Sequence, residues 1–177
     1  MRKKSILVTG SSGFIGSHLI DKIPHKTILF GKKDNLLSRE KVLQTKRVDV
    51  VIHLASKIPQ SNNKGKEGFF ENNVLGTLNI LEYCVKKNVK KLIYVSNYIY
   101  GNPKYSPIDE IHPINPHNAY SESKYLAERL CKFYCDKSNI SLIILRPFNI
   151  YGESMNENFL LSNLINSIKT DQKITIV

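Results

Sequence analysis

Five short aliphatic runs, separated by longer segments with helical spacing, constrain this chain more than any other feature of its 177 residues. Residues 5–9, 27–30, 50–54, 92–96 and 142–145 are near-continuous apolar stretches, the pattern of strands covered on both faces. Between them, 15–23, 38–44, 69–87 and 119–137 carry apolar side chains at three- and four-residue intervals and read as helices. Repeated strand-then-helix units bury their apolar faces as a parallel sheet with helices on both sides, so the expected class is α/β, doubly wound. A polar stretch at 153–158 leads into a further helical pattern at 159–169 and a last apolar run at 173–177.

The first strand runs straight into Gly10-Ser11-Ser12-Gly13-Phe14-Ile15-Gly16, which opens the first helix. Glycines there permit a tight turn and a close approach of backbone to a pyrophosphate, whose charge the amides at a helix N-terminus stabilise. Glycine also serves turns that bind nothing. The place of this run, between a strand and a helix, is what points to a dinucleotide.

A second constellation lies on the helix at 119–137. Tyr120 and Lys124 are four residues apart and project from one face. An unperturbed phenol, with a pKa of about 10, is a poor base at neutral pH, and a neighbouring ammonium favours its ionised form. The pair can exchange a proton with a hydroxyl while a hydride moves elsewhere. The same spacing also occurs on ordinary surface helices. The loop before it, 101–118, is punctuated by Pro103, Pro107, Pro113 and Pro116 and is too long for a mere connector.

Charge and cysteine usage narrow the partners. The net charge of +11 raises the question of a polyanion. Its carriers, Arg2-Lys3-Lys4, Lys32-Lys33, Lys86-Lys87 and Lys90-Lys91, are scattered along the sequence rather than forming one stripe interleaved with aromatics. Neither nucleic acid nor a membrane is the expected partner; solvated faces and a site for anionic small molecules are. Cys84, Cys131 and Cys135 are odd in number and lack paired Cys-x-x-Cys spacing, which suits a reducing compartment, and no metal site is expected. Gly10 and Gly13 break the first apolar run before a signal-peptide core forms, and nothing approaches the ~20 apolar residues of a membrane span, so a cytoplasmic location is expected.

With Thr9 in front and Phe14-Ile15 inside, the glycine run resembles that of the extended short-chain dehydrogenase/reductase family, the sugar-nucleotide epimerases, dehydratases and reductases. Asp49-Val50-Val51-Ile52-His53-Leu54-Ala55, Asn73-Val74-Leu75-Gly76-Thr77 and Arg146-Pro147-Phe148-Asn149-Ile150-Tyr151-Gly152 resemble further family segments, in the family's order. The resemblance implies a Rossmann-type domain over 1–152 and the start of an incomplete substrate lobe over 153–177. It implies that a dinucleotide lies against Gly10, Ser12, Gly13, Phe14, Ile15 and Gly16, then against Leu54, Ala55 and Ser56. Asn73, Pro147 and Ile150 are implied to complete that site, with Tyr120 and Lys124 reaching the nicotinamide end. His53 is read as a satisfied core residue.

Counting back from Tyr100-Gly101, Ser96 falls where the family places a hydroxyl against the reacting sugar oxygen, so Ser96, Tyr120 and Lys124 form the implied triad. Val95 stands where a second hydroxyl residue is usual; Asn97 is a second candidate for the substrate, as is Asn149. Family dehydratases carry an acidic pair after the serine, and here Asn97 and Tyr98 cannot act as carboxylate bases. A nucleotide-sugar epimerase or keto-sugar reductase is therefore expected, the alternative being a non-catalytic dinucleotide-binding regulator without the substrate lobe. A homodimer through the helices at 69–87 and 119–137 is implied, with Leu75, Leu78, Leu126 and Leu130 as apolar candidates. For the cofactor, aligning by the second strand puts Gly31, Lys32 and Lys33 at its tip and favours NADP, with both lysines on the 2′-phosphate. Aligning by distance from the glycine run makes Asp34 the tip acid and favours NAD. The strand alignment is preferred because Pro24 shortens the first helix.

Overall fold

The structure is a computed structural model that describes residues 4–59, 68–155 and 159–170. Five strands, β1 (Ser5–Thr9), β2 (Lys26–Phe30), β3 (Val50–His53), β4 (Lys91–Val95) and β5 (Ser141–Leu145), form one parallel sheet in the order β2-β1-β3-β4-β5. The helices are α1 (Phe14–Ile20), α2 (Arg39–Gln44), α3 (Gly76–Lys86), α4 (Ala119–Lys137) and α5 (Leu160–Lys169). This is the Rossmann-type doubly wound sheet that the alternation of apolar runs implies. The run at 173–177 lies outside the described residues.

Departures are local. The first helix ends at Ile20 rather than 23, its last turn closing where Asp21 donates to Leu19. Strands three and four each stop one residue early, so that Leu54 and Ser96 stand just past the sheet; the Ser96 N–H still bonds the Leu145 carbonyl at 2.8 Å. The helix expected over 69–87 opens as a wider π-helical segment, Phe70–Leu75, which runs directly into α3. Such segments recur at functional sites. Asn118 caps α4 reciprocally with Ser121, a satisfied N-terminus that fixes where the helix begins and hence where Tyr120 stands.

Leu7, Val51, Leu92 and Tyr94 on one sheet face pack with Ile80, Leu81, Ala127 and Cys131 of α3 and α4. At roughly 1.5–3 kcal/mol for each large apolar side chain buried, this face dominates the stability. The other face is a smaller cluster around Ile6, Val8 and Val50. Coverage fails at the edge, where Ile143 and Leu145 of β5 are 38% and 48% exposed. The topology also gathers basic residues that are far apart in sequence: Lys4, Lys26, Arg47, Lys90 and Lys91 lie where strands begin, opposite the glycine loop. Lys86 and Lys137 close α3 and α4 there, favourably for the helix dipoles.

Candidate functional site

The glycine loop is shaped by contacts no other residue tolerates. Gly10 has φ +70°, and a Cβ on it would stand 2.7 Å from the Ala55 nitrogen; one on Gly16 would stand 2.2 Å from the Gly10 carbonyl oxygen. β1, α1 and the end of β3 therefore pack backbone to backbone. The cleft outside them holds about 1220 Å³, larger than an ordinary small-ligand pocket, and suits a dinucleotide. Of the residues the sequence assigns to the cofactor, Gly10, Ser12, Gly13, Phe14, Lys32, Lys33, Ala55 and Ser56 line it. Gly16 instead allows the close packing beneath it, and Ile15 is 36% exposed.

At the tip of β2, Lys32 N–H donates to Ser12 Oγ at 2.9 Å. The Gly31 N–H donates to Asp34 Oδ2 at 2.8 Å, and the Asp34 N–H donates back to the Gly31 carbonyl at 3.1 Å. Both alignments weighed from sequence thus meet in one turn. Gly31 holds the strand tip, and Asp34 folds its carboxylate back onto it.

A buried polar chain runs from the glycine loop to the Tyr120 helix. The Ala55 N–H donates to Thr9 Oγ1 at 3.2 Å, and Thr9 Oγ1 lies 2.5 Å from His53 Nδ1. Across the ring, His53 Nε2 lies 2.9 Å from Thr77 Oγ1, which donates to the Asn73 carbonyl at 2.6 Å. The Thr77 hydrogen is thereby committed, so His53 Nε2 carries the proton and Nδ1 accepts from Thr9. Burial, with the Lys124 charge adding to it, pushes the His53 pKa down to about 3, and the ring is neutral. His53 is the satisfied core residue its sequence position suggests.

Asn73 does not line the cleft. It is 1% exposed, accepts from Lys57 N–H at 2.7 Å and Ser56 Oγ at 3.1 Å, and donates to the Lys57 carbonyl at 3.1 Å and Ser123 Oγ at 2.9 Å. It ties the loop after β3 to α4, behind the residues that face the opening.

Lys124 is 2% exposed and donates from Nζ to the Val95 carbonyl at 2.7 Å, with its charge 4.5 Å from the centre of the Tyr94 ring. Val95 immediately precedes Ser96. The Ser96 hydroxyl and Asn97 Oδ1 are buried and make no hydrogen bond among the described residues. Tyr120 packs on Phe69, ring centres 5.7 Å apart. Here the structure corrects an expectation: burial pushes the Tyr120 phenol up rather than Lys124 drawing it down, and the influence opposing burial is a hydrogen bond with Ser56. The Lys124 ammonium is turned to β4, and burial lowers its own pKa to about 7.

The segment after β5 returns over the glycine loop. Phe148 packs edge-on against Tyr98 at 5.1 Å, and Gly152 lies close to the Phe14 ring, whose edge would meet an added Cβ at 3.5 Å. Pro147 is half-buried, whereas Asn149 and Ile150 are exposed. Lys57, Asn72, Ser154, Met155 and Phe159 also line the cleft and were not singled out by sequence. Lys57 carried a signal, since it directly follows Leu54-Ala55-Ser56; Ser154 and Met155 come from the polar stretch with no regular pattern, and Phe159 from the start of the helical pattern that follows it.

The sequence model of the NAD dependent epimerase/dehydratase family matches residues 6–177. A Methanocaldococcus jannaschii protein, provisionally named UDP-glucose 4-epimerase, is 37% identical over 84% of this chain and 56% of its own length. A dTDP-D-glucose 4,6-dehydratase from Dictyostelium discoideum is 32% identical over 98% of this chain and 50% of its own. Among solved structures, UDP-glucuronic acid 4-epimerase from Bacillus cereus in complex with NAD superposes with a TM-score of 0.81 at 28% identity, covering 97% of this chain and 65% of that one. RMD from Pseudomonas aeruginosa complexed with NADPH superposes with a TM-score of 0.82 at 27% identity, over 97% and 63%. The chain spans about half the length of the curated relatives it matches.

Proposed function

The chain belongs to the NAD dependent epimerase/dehydratase family, and from that premise we propose that it is the dinucleotide-binding part of an NAD(P)-dependent nucleotide-sugar epimerase or keto-sugar reductase. The observation that carries this reading is the meeting at the end of β4. Lys124 bonds the carbonyl of Val95, and the next residue, Ser96, has a buried hydroxyl with no partner among the described residues. A hydroxyl and an ammonium then border one strand end, and the Tyr120 phenol, packed on Phe69 and hydrogen-bonded with Ser56, is the third member of the proposed set.

The glycine loop, Ser12, Lys32, Lys33, Ala55 and Ser56 would hold the dinucleotide, which when bound supplies the hydride acceptor and donor. Ser96 orients the sugar hydroxyl, with Asn97 Oδ1 beside it able to accept from a neighbouring one. Tyr120 is a neutral phenol at pH 7, so it can give its proton to a ketone oxygen as that oxygen gains charge. In the opposite direction it must lose that proton, and the hydrogen bond with Ser56 is the influence that favours the phenolate against burial. The two residues after Ser96 are Asn97 and Tyr98, neither a carboxylate base, which supports epimerisation or ketone reduction over dehydration.

Tyr120→Phe in the protein that carries this chain tests the reading. Turnover of a nucleotide sugar is expected to fall roughly 10²- to 10⁴-fold with little change in dinucleotide affinity. Near-full activity removes Tyr120 from the chemistry.

A further inference from the structure

Glu128 stands one helical turn beyond Lys124 on α4 and is 0% exposed. A carboxylate is rarely buried so completely without a partner. Its partner is Arg146: the guanidinium donates from Nε to both carboxylate oxygens, at 3.0 and 3.2 Å, and from its Nη2 at 2.7 Å. The other terminal nitrogen donates to the Tyr100 hydroxyl at 3.1 Å, with the guanidinium 5.4 Å from the centre of that ring. Three pieces of chain converge on this one carboxylate. They are α4 with Tyr120 and Lys124, the segment that leaves β5 and passes over the glycine loop, and the start of the long loop after β4.

We propose that Glu128 is a positioning residue for this site, its buried carboxylate serving both as the anchor of Arg146 and as the counter-charge that lets Lys124 stand as an ammonium in the core. The proposal rests on the functional reading above for its consequence, but not for its geometry. Around Lys124, β4 offers the Val95 carbonyl and the Tyr94 ring, β3 offers His53, and α4 offers Cys131 and Glu128. His53 is neutral, and burial holds the Cys131 thiol protonated far above pH 7. Of these groups Glu128 alone is a carboxylate, one helical turn from Lys124 on α4 and itself paired with the Arg146 guanidinium. A salt bridge that merely held the fold together would leave the Lys124 titration untouched, whereas a counter-charge would not.

The test follows the Lys124 side chain through pH by carbon-13 NMR in the dinucleotide-free protein, with the Lys124→Met variant identifying the resonance. Glu128→Gln is expected to lower the Lys124 midpoint by about one pH unit or more, the scale on which a close opposite charge acts. Glu128→Asp, which keeps the charge, is expected to stay closer to wild type. If Glu128→Gln does not fold, the Glu128→Gln/Arg146→Met pair leaves no unpaired guanidinium and is expected to lower the midpoint in the same direction by a smaller amount, because a positive charge leaves with the negative one. An unchanged midpoint in the folded variant overturns the proposal. NAD(P) titrations of the same samples separate the two readings: a protein that binds neither dinucleotide but shows the shift refutes the proposed function and leaves Glu128 in its role, and the reverse pattern does the opposite.

Discussion

Asn73 and Ser123, fifty residues apart in the chain, meet in the core with the Asn73 amide donating to the Ser123 hydroxyl at 2.9 Å. Ser123 passes its own hydrogen to the Tyr120 carbonyl at 2.7 Å, so the amide is one link from the backbone of the proposed acid. Asn73→Ala would leave the Lys57 N–H without its acceptor in a half-buried loop. A loss of about 2–3 kcal/mol is expected from urea unfolding. Asn73→Asp should cost a similar amount, because a carboxylate cannot donate to Ser123 or Lys57. A loss below about 0.5 kcal/mol, the size typical of surface changes, would show that the loop is held by something else.

Burial of a neutral His53 makes stability depend on pH in a calculable direction. Its folded pKa is about 3 against an ordinary 6.5, so between these values the unfolded chain binds more protons. Stability contributed by the neutral ring is complete above pH 6.5 and is lost as pH falls towards 3, by up to about 1.4 kcal/mol for each unit. His53→Gln should be less stable at pH 7 yet show a flatter profile between pH 6.5 and 4. Parallel profiles for wild type and variant would mean that the ring takes up its proton without unfolding.

The fold was legible in the sequence because apolar runs alternate with helical spacing, and strand type follows from burial on both faces. Gly10 and Gly16 were legible because their need is steric. Asn73 was misplaced: its segment is recognisable, but nothing in the sequence says that all its amide bonds are spent on Lys57, Ser56 and Ser123. The Tyr120 phenol was misjudged for a related reason. Four-residue spacing puts Lys124 on the same helix face, but rotamer and burial decide where the ammonium points, and here it points to Val95. Glu128 and Arg146 meet across tertiary structure, at a distance that no local pattern records.

The turn after β2 is where the dinucleotide preference is expected to be set. Lys32 and Lys33 are exposed at the mouth of the cleft, while one oxygen of Asp34 is engaged by Gly31 N–H. Two cations against one hydrogen-bonded carboxylate favour a 2′-phosphate. NADP is expected to bind more tightly than NAD at low salt, with the difference abolished in Lys32→Ala/Lys33→Ala. Calorimetric titration in which NAD is equal or tighter would assign control of the site to Asp34.

Self-association through α3 and α4 is the next expectation. Leu75 is 51% exposed and Phe70 46%, an apolar surface at the entrance to α3, with Leu78, Leu126 and Leu130 half-buried nearby in sequence. Light scattering at micromolar concentration should give a dimer, weakened by Leu75→Lys. A monomer for the wild type contradicts the pairing.

Dinucleotide binding by the 177-residue chain tests the central claim most directly. Titrating the folded chain with NAD and NADP should show saturable binding of one molecule, weakened in Lys124→Met and nearly unchanged in Tyr120→Phe, because the family resemblance implies that Lys124 also holds the nicotinamide ribose, whereas the phenol is proposed for proton transfer. A folded chain that binds neither dinucleotide saturably, or a Lys124→Met variant that binds as tightly as wild type, would contradict the account.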